Sequence, residues 1–167
     1  MKKVLVLILC AMLVFCGCDV NTSVQMPESQ AMGCGELMER LMDVADISCD
    51  KTECYGEQNF GVYFEYWFDM PMNFVSDGAI SYVDAGNNAD EICILYPESG
   101  VTYQTVKEAL MRRPEKQKKR LTGLHDEQAL RYEDAVFAEC EGFLLLVVCE
   151  NADAVVGEFE QILGGNP

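Results

Sequence analysis

The chain has one histidine and one tryptophan in 167 residues, no Cys-x-x-Cys pair and no Gly-x-Ser-x-Gly turn. These absences exclude chemistry. A Ser-His or Cys-His centre would rest on His125 alone, which falls in an expected loop with no nucleophile elbow to serve. General-base work demands a positioned group, and nothing in the sequence positions this one. No catalytic residue is therefore assigned. Zinc sites of the usual spacing draw on several Cys and His ligands, which a single histidine does not supply. The stretch Asp84-Ala85-Gly86-Asn87-Asn88-Ala89-Asp90-Glu91 alternates oxygen ligands, but its glycine and distal Glu are misplaced for a calcium loop. A hairpin turn explains the same residues without an ion. No metal and no cofactor is assigned. Basic residues are scarce too: 12 Lys and Arg stand against 28 Asp and Glu, a formal charge of −16. Such a surface repels nucleic acid and anionic surfaces overall. The one long apolar run, Val4 to Phe15, is shorter than the roughly 20 residues a membrane span needs.

That run carries the clearest signal present. Lys2-Lys3 precedes it and Cys16-Gly17-Cys18 follows, which gives a basic n-region, a short h-region and a small-residue cleavage site over residues 1–17. Val14-Phe15-Cys16-Gly17-Cys18 resembles the lipobox of bacterial lipoproteins, with Phe15 where that family prefers Leu. The resemblance implies cleavage between Gly17 and Cys18 and a lipid on Cys18. The plainer reading is an ordinary signal peptide in which Cys18 is incidental. One acyl chain binds a membrane marginally and several hold firmly. The expected location is thus the extracytoplasmic face of the cell membrane, lipid-anchored. Loss of Lys2 and Lys3 with no acidic residue would take the charge to −18.

Beyond Cys18 the polar stretch to residue 33 reads as a flexible tether, and residues 34–167 as one domain. Leu37, Met38, Leu41, Met42 and Ala45 make one helical face over Gly35 to Ile47. Ser48 to Gln58 reads as a loop. Phe60, Tyr63, Phe64, Trp67 and Phe68 then recur at helical spacing until Asp69-Met70-Pro71. Strands are expected at Ala79–Asp84 and Glu91–Tyr96, followed by a helix opened by a Thr105-to-Glu108 capping box. Its inner side carries Val106, Leu110, Leu121 and Leu124, and Pro114 is expected to kink or break it. A second hairpin, Ala135–Cys140 and Phe143–Cys149, leads to a last helix with Val155, Val156, Phe159, Ile162 and Leu163 inward.

The expected fold class is therefore α+β: a four-stranded antiparallel sheet from two strand-strand-helix units, with two additional N-terminal helices. The two unit helices are expected on one sheet face. The run Phe143 to Val148 is apolar at both parities, so the other face needs cover. Either the two N-terminal helices supply it or that face is exposed and wants a partner.

The order of elements, with Ala89-Asp90-Glu91-Ile92, Val106-Lys107-Glu108-Ala109-Leu110 and Ala154-Val155-Val156 in their places, resembles a family of small bacterial lipoproteins of Gram-positive type. That family is catalogued as domain of unknown function 4358. The resemblance runs from about Tyr55 to Leu163 besides the lipobox, with Pro114 a departure from the family's uninterrupted central helix. It offers no catalytic residue to carry over.

Three features remain as candidates for function. Six cysteines lie beyond Cys18, at 34, 49, 54, 93, 140 and 149. Cys49 and Cys54 are the candidate disulfide, although all six could equally stay reduced. The aromatic stretch from Phe60 to Phe74 could stack on sugars or simply pack inward, with Tyr66 off the stripe and exposed. Arg112, Arg113, Lys116, Lys118, Lys119 and Arg120 form a basic run holding half of the chain's 12 cations. It reads either as a membrane-facing patch or as a solvated helix end that suits the helix dipole.

The expected function is a non-enzymatic binding or accessory module, anchored to the membrane and serving a protein or cell-envelope partner, with no nucleic acid. The alternative is capture of a small solute for a transporter. An envelope hydrolase built on His125 is the third reading.

Overall fold

A computed structural model describes residues 32–47, 49–83 and 89–164. The signal segment with Gly17 and Cys18, the tether up to residue 31 and the turn residues 84–88 lie outside the described residues.

The protein is α+β, with five strands where four are expected. The chain runs α1 (Cys34–Ala45), β1 (Lys51–Cys54), α2 (Phe60–Phe68), a 3-10 turn (Met72–Phe74), β2 (Val75–Tyr82) and β3 (Glu91–Pro97). It continues with α3 (Gly100–Leu121), α4 (Asp126–Arg131), a second 3-10 turn (Tyr132–Asp134), β4 (Val136–Cys140), β5 (Phe143–Val148) and α5 (Ala152–Gly164). Every neighbouring pair of strands is antiparallel, in the order β1-β2-β3-β5-β4. The additional strand is β1, inside the expected loop. Its four residues are too few to show an alternation, and Lys51 and Thr52 face water. Pairing with β2, with Lys51 opposite Tyr82 and Cys54 opposite Ala79, is what makes it a strand.

That strand also removes the expected disulfide. Cys49 precedes it and Cys54 ends it, and the three extended steps from Lys51 to Cys54 alone span about 10 Å. A disulfide requires Cα atoms within about 7 Å. Both are free thiols, as are the other four described cysteines. Burial pushes the Cys34 and Cys93 thiols well up and the Cys49 thiol up to about 11, so none of these three is poised as a nucleophile.

Strand parity sorts the core into two layers. Ala79, Ile92, Ile94, Leu145 and Val147 point to one face and pack under α1 and α5. Ile80, Cys93, Leu95, Leu144 and Leu146 point to the other and pack under α2 and α3. The two helices that follow the hairpins therefore lie on opposite faces, not on one. Both connections are short and both central strands are apolar on both sides, so neither loop length nor parity chooses a face. The N-terminal helices do, since each takes one. Both faces are consequently covered, and β5 is buried along its whole length.

Close approach fixes the α2 side. Gly78 in β2 is buried, and a Cβ there would sit 3.0 Å from Phe60 Cε2, 3.3 Å from Leu95 Cδ2, and closer still to Phe60 Cζ. Gly78→Ala is expected to cost about 1–3 kcal/mol, the range for an overpacked core. Chemical denaturation would measure it, and an unchanged midpoint would contradict the packing of Phe60 on this strand. On the opposite face Asp77 ties α1 to the sheet, its Oδ2 accepting the Cys34 backbone N–H at 2.7 Å.

The long helix departs from expectation at both ends and in the middle. Its N-terminal box is Ser99 and Thr102, with the Ser99 N–H donating to Thr102 Oγ1 at 3.1 Å, and not the Thr105-to-Glu108 stretch. It runs unbroken through Pro114 to Leu121. Proline removes one backbone donor. Here the turns on both sides are pinned, by Val106, Ala109, Leu110 and Arg113 before it and by Gln117 and Leu121 after it, all buried. Leu124 lies past the helix end and is exposed.

Candidate functional site

The C-terminal half of α3 faces α2 across a cleft of about 1010 Å³. Five aromatics line it: Tyr63, Tyr66 and Trp67 from α2, Tyr82 at the end of β2, and Tyr132. The aromatic stripe of α2 thus divides by position. Phe60, Phe64 and Phe68, spaced four residues apart, are buried in the core. Tyr63 and Trp67, one helical turn apart beside them, are half-buried and line the cleft, while Tyr66 is 72% exposed. The aromatic wall is internally braced. Tyr63 lies 5.2 Å from Tyr82 and 5.7 Å from Trp67, and the Trp67 and Tyr82 rings meet edge to face at 4.9 Å.

The floor is ionic and buried. Glu91 begins β3 with the same parity as Cys93 and Leu95, so its carboxylate is directed to the α3 side. Arg113 descends from α3 to meet it: its Nε and Nη2 donate to the two Glu91 oxygens, the latter at 2.8 Å. Both side chains are 2% exposed. The Tyr132 hydroxyl donates to Glu91 Oε2 at 3.1 Å. The Arg113 guanidinium also lies over the Trp67 ring, 3.5 Å from its centroid, a cation–π contact that occupies one ring face. A buried carboxylate with a bidentate arginine and a phenol is neutralised and hydrogen-bonded, the condition for a charge to persist in a dry site.

The other two carboxylates of the cleft are also paired, and Arg120 is held by a neutral amide. Lys116 bridges Asp69 at 2.8 Å and donates to the Trp67 carbonyl at 3.2 Å, closing the rim between the two helices. Asp90 pairs with Arg131 at 2.8 Å. Arg120 donates to Gln117 Oε1 at 2.7 Å.

This geometry divides the basic run. Arg113 is buried in the floor and is no part of a membrane-facing patch. The run continues the inner stripe of Val106 and Leu110 through Arg113, Gln117 and Leu121, and at a buried position a long cation points inward only if a carboxylate meets it. Lys116 and Arg120 line the cleft. Arg112 pairs loosely with Glu108 at 3.9 Å and Lys118 with Glu133 at 2.6 Å. Six cations close in sequence therefore point in several directions around the helix.

His125 reaches the cleft wall, where no Ser, Thr or Cys accompanies it. Among the described residues no three His, Cys, Asp or Glu side chains gather to hold a metal ion, and no described helix is long and apolar enough to cross a membrane. Sequence reasoning passed over Glu91, Tyr82 and Tyr132. Glu91 did leave a trace, as a charged first residue in an otherwise apolar strand.

Burial, and next the Glu91 charge, hold the Tyr132 phenol well above its ordinary range. Burial and a hydrogen bond to Glu139 push Tyr103 up to about 12. The folded protein thus keeps protons that an unfolded chain loses near pH 10. Their contribution to stability is complete below about pH 10 and is lost as pH rises through the folded values. Urea midpoints are expected to fall between pH 9 and pH 11, less steeply in Tyr132→Phe. An equally steep fall in Tyr132→Phe would place the Tyr132 hydroxyl in solvent.

No protein-family model matches the chain, and neither a curated protein nor a solved structure does.

Proposed function

We propose that the chain is a membrane-anchored extracytoplasmic lipoprotein of the small Gram-positive type, non-enzymatic, whose α+β domain binds a cell-envelope component in the α2–α3 cleft. The anchoring rests on the sequence, where Gly17-Cys18 closes the h-region. The observation that carries the binding reading is the cleft: a concave, aromatic-walled volume with a buried ion pair in its floor. Sites of this kind run to about 300–1,000 Å³ and are largely preformed.

The cleft shifts the weight between the two binding readings. A protein partner docked on an apolar sheet face has no such face to meet, because α1 with α5 and α2 with α3 occupy both. Capture of a small solute, delivered to a transporter, uses the same cleft and is the second reading. Catalysis gains nothing from His125, which has no nucleophile beside it in the cleft wall.

Two measurements test the proposal. In a bacterial host the full chain should label with palmitate and fractionate with membranes, and Cys18→Ala should do neither. Equal fractionation of the two would remove the lipid anchor. In thermal-shift screening of the full chain against metabolites and glycans, a ligand-dependent rise in melting temperature is expected. Silence across both panels would remove the cleft as a binding site.

A further inference from the structure

We infer that the cleft takes an uncharged oligosaccharide, stacked on Tyr66 and Tyr63 and hydrogen-bonded by the polar groups around them. This rests on the binding reading above and adds the ligand class.

The first argument is charge. Three carboxylates line the cleft, Asp69, Asp90 and Glu91, and each has a cation: Lys116, Arg131 and Arg113. A cationic ligand would have to displace one of these partners or sit uncompensated, and an anionic one would meet only Arg120, whose hydrogen bond goes to the neutral Gln117. A neutral ligand disturbs none of them. This electroneutrality is local, in a chain of formal charge −16.

The second is the aromatic surface. Trp67 is already engaged, under the Arg113 guanidinium on one side and against Tyr82 and Tyr63. It is a rigid wall, not a platform. Tyr66 is the ring left open, 72% exposed at the cleft edge on the same helix. One exposed tyrosine on a surface is ordinary. Here it lines the same cleft as Tyr63, Trp67 and Tyr82. Pyranose rings present flat C–H faces that stack on such rings, and a rim of hydroxyls.

The third is the polar inventory beside the wall. Gln117, Arg120, Lys116 and Asp69 place amide, guanidinium, ammonium and carboxylate groups around the same volume. These are planar or multiply hydrogen-bonding groups, suited to adjacent hydroxyls that both donate and accept. A cleft of about 1010 Å³ has room for more than one sugar ring.

The chain carries its own reporter, since Trp67 is its only tryptophan. The full chain in detergent would be titrated with tetrasaccharides of glucose (β-1,4 and α-1,4), xylose and N-acetylglucosamine, and separately with citrate and tripolyphosphate. A saturable change in Trp67 emission with at least one tetrasaccharide is expected. Tyr66→Ala should weaken it about two- to tenfold, the range for loss of one aromatic stacking contact, with the melting temperature unchanged. Tyr66→Phe should retain it. Saturation by citrate or tripolyphosphate alone, lost in Arg120→Gln, would overturn the ligand class and leave the binding cleft standing. No response to any of these probes, from a protein that melts cooperatively, would overturn the ligand class. Loss of the binding reading as well would require silence in the broader thermal-shift screen.

Discussion

Glu91→Ala is expected to destabilise the fold by about 3–5 kcal/mol, the range for removing one partner of a buried ion pair. The carboxylate is 2% exposed and answers the Arg113 guanidinium through two hydrogen bonds. Removing it strands a cation that is equally buried, against the face of Trp67. The Tyr132 hydroxyl loses its acceptor in the same step. Most of the loss is the cost of the orphaned charge rather than the worth of the pair. Replacing both partners should therefore be far milder: Glu91→Leu with Arg113→Met is expected to recover most of the stability. Urea denaturation of the two single variants and the double variant measures both halves of this expectation. A single variant within about 1 kcal/mol of the parent would mean that the pair is hydrated and not buried as described.

Phe60→Ala should cost a comparable amount, about 3–5 kcal/mol, by removing a fully buried ring and leaving a cavity. Its ring stacks on Phe64 at 5.9 Å and lies over the missing side chain of Gly78. The two positions are therefore coupled. Gly78→Ala meets the far end of the Phe60 ring in the parent, and in the Phe60→Ala background that atom is gone. The second substitution should lose most of its cost there, as measured by a double-mutant cycle. Strict additivity would show that the Gly78 contact is not the constraint on α2.

The cleft depends on these same residues. Arg113 and Glu91 support the wall against which a ligand would rest, and Phe60 and Gly78 seat the helix that carries Tyr63 and Tyr66. Lys116 and Asp69 join the two helices across the rim at 2.8 Å, but both are more than half exposed, so their pair adds little stability.

Much of the fold is legible in the residues themselves. The helical stripes of α1, α2 and α5 and the hairpin of β4 and β5 follow from periodicity, because each has one apolar face or a turn with a defined chemistry. The double-sided burial of β5 is equally direct, since Phe143 to Val148 has no polar position to give to water. What a local pattern does not contain is the choice among partners that suit it equally. β1 is a strand because β2 offers it a free edge. α3 and α5 separate to opposite faces because α1 and α2 divide the sheet between them. Pro114 is carried through because buried contacts pin the turns on both sides.

The cleft belongs to this second kind. In sequence Arg113 is one of six clustered cations and Glu91 one of 28 acids. Their meeting joins two elements 22 residues apart, and burial turns an ordinary surface charge into a fixed part of a site. Tyr63 and Trp67 likewise look like core residues on a helical wheel, until the layer above them stops at the α3 edge and leaves them facing the cleft. The sequence by itself determined the α+β class and most of the elements, because those depend on local composition and period. Tertiary structure decided the fifth strand, the sides of the helices and the site, because those depend on which distant side chains burial and charge bring together.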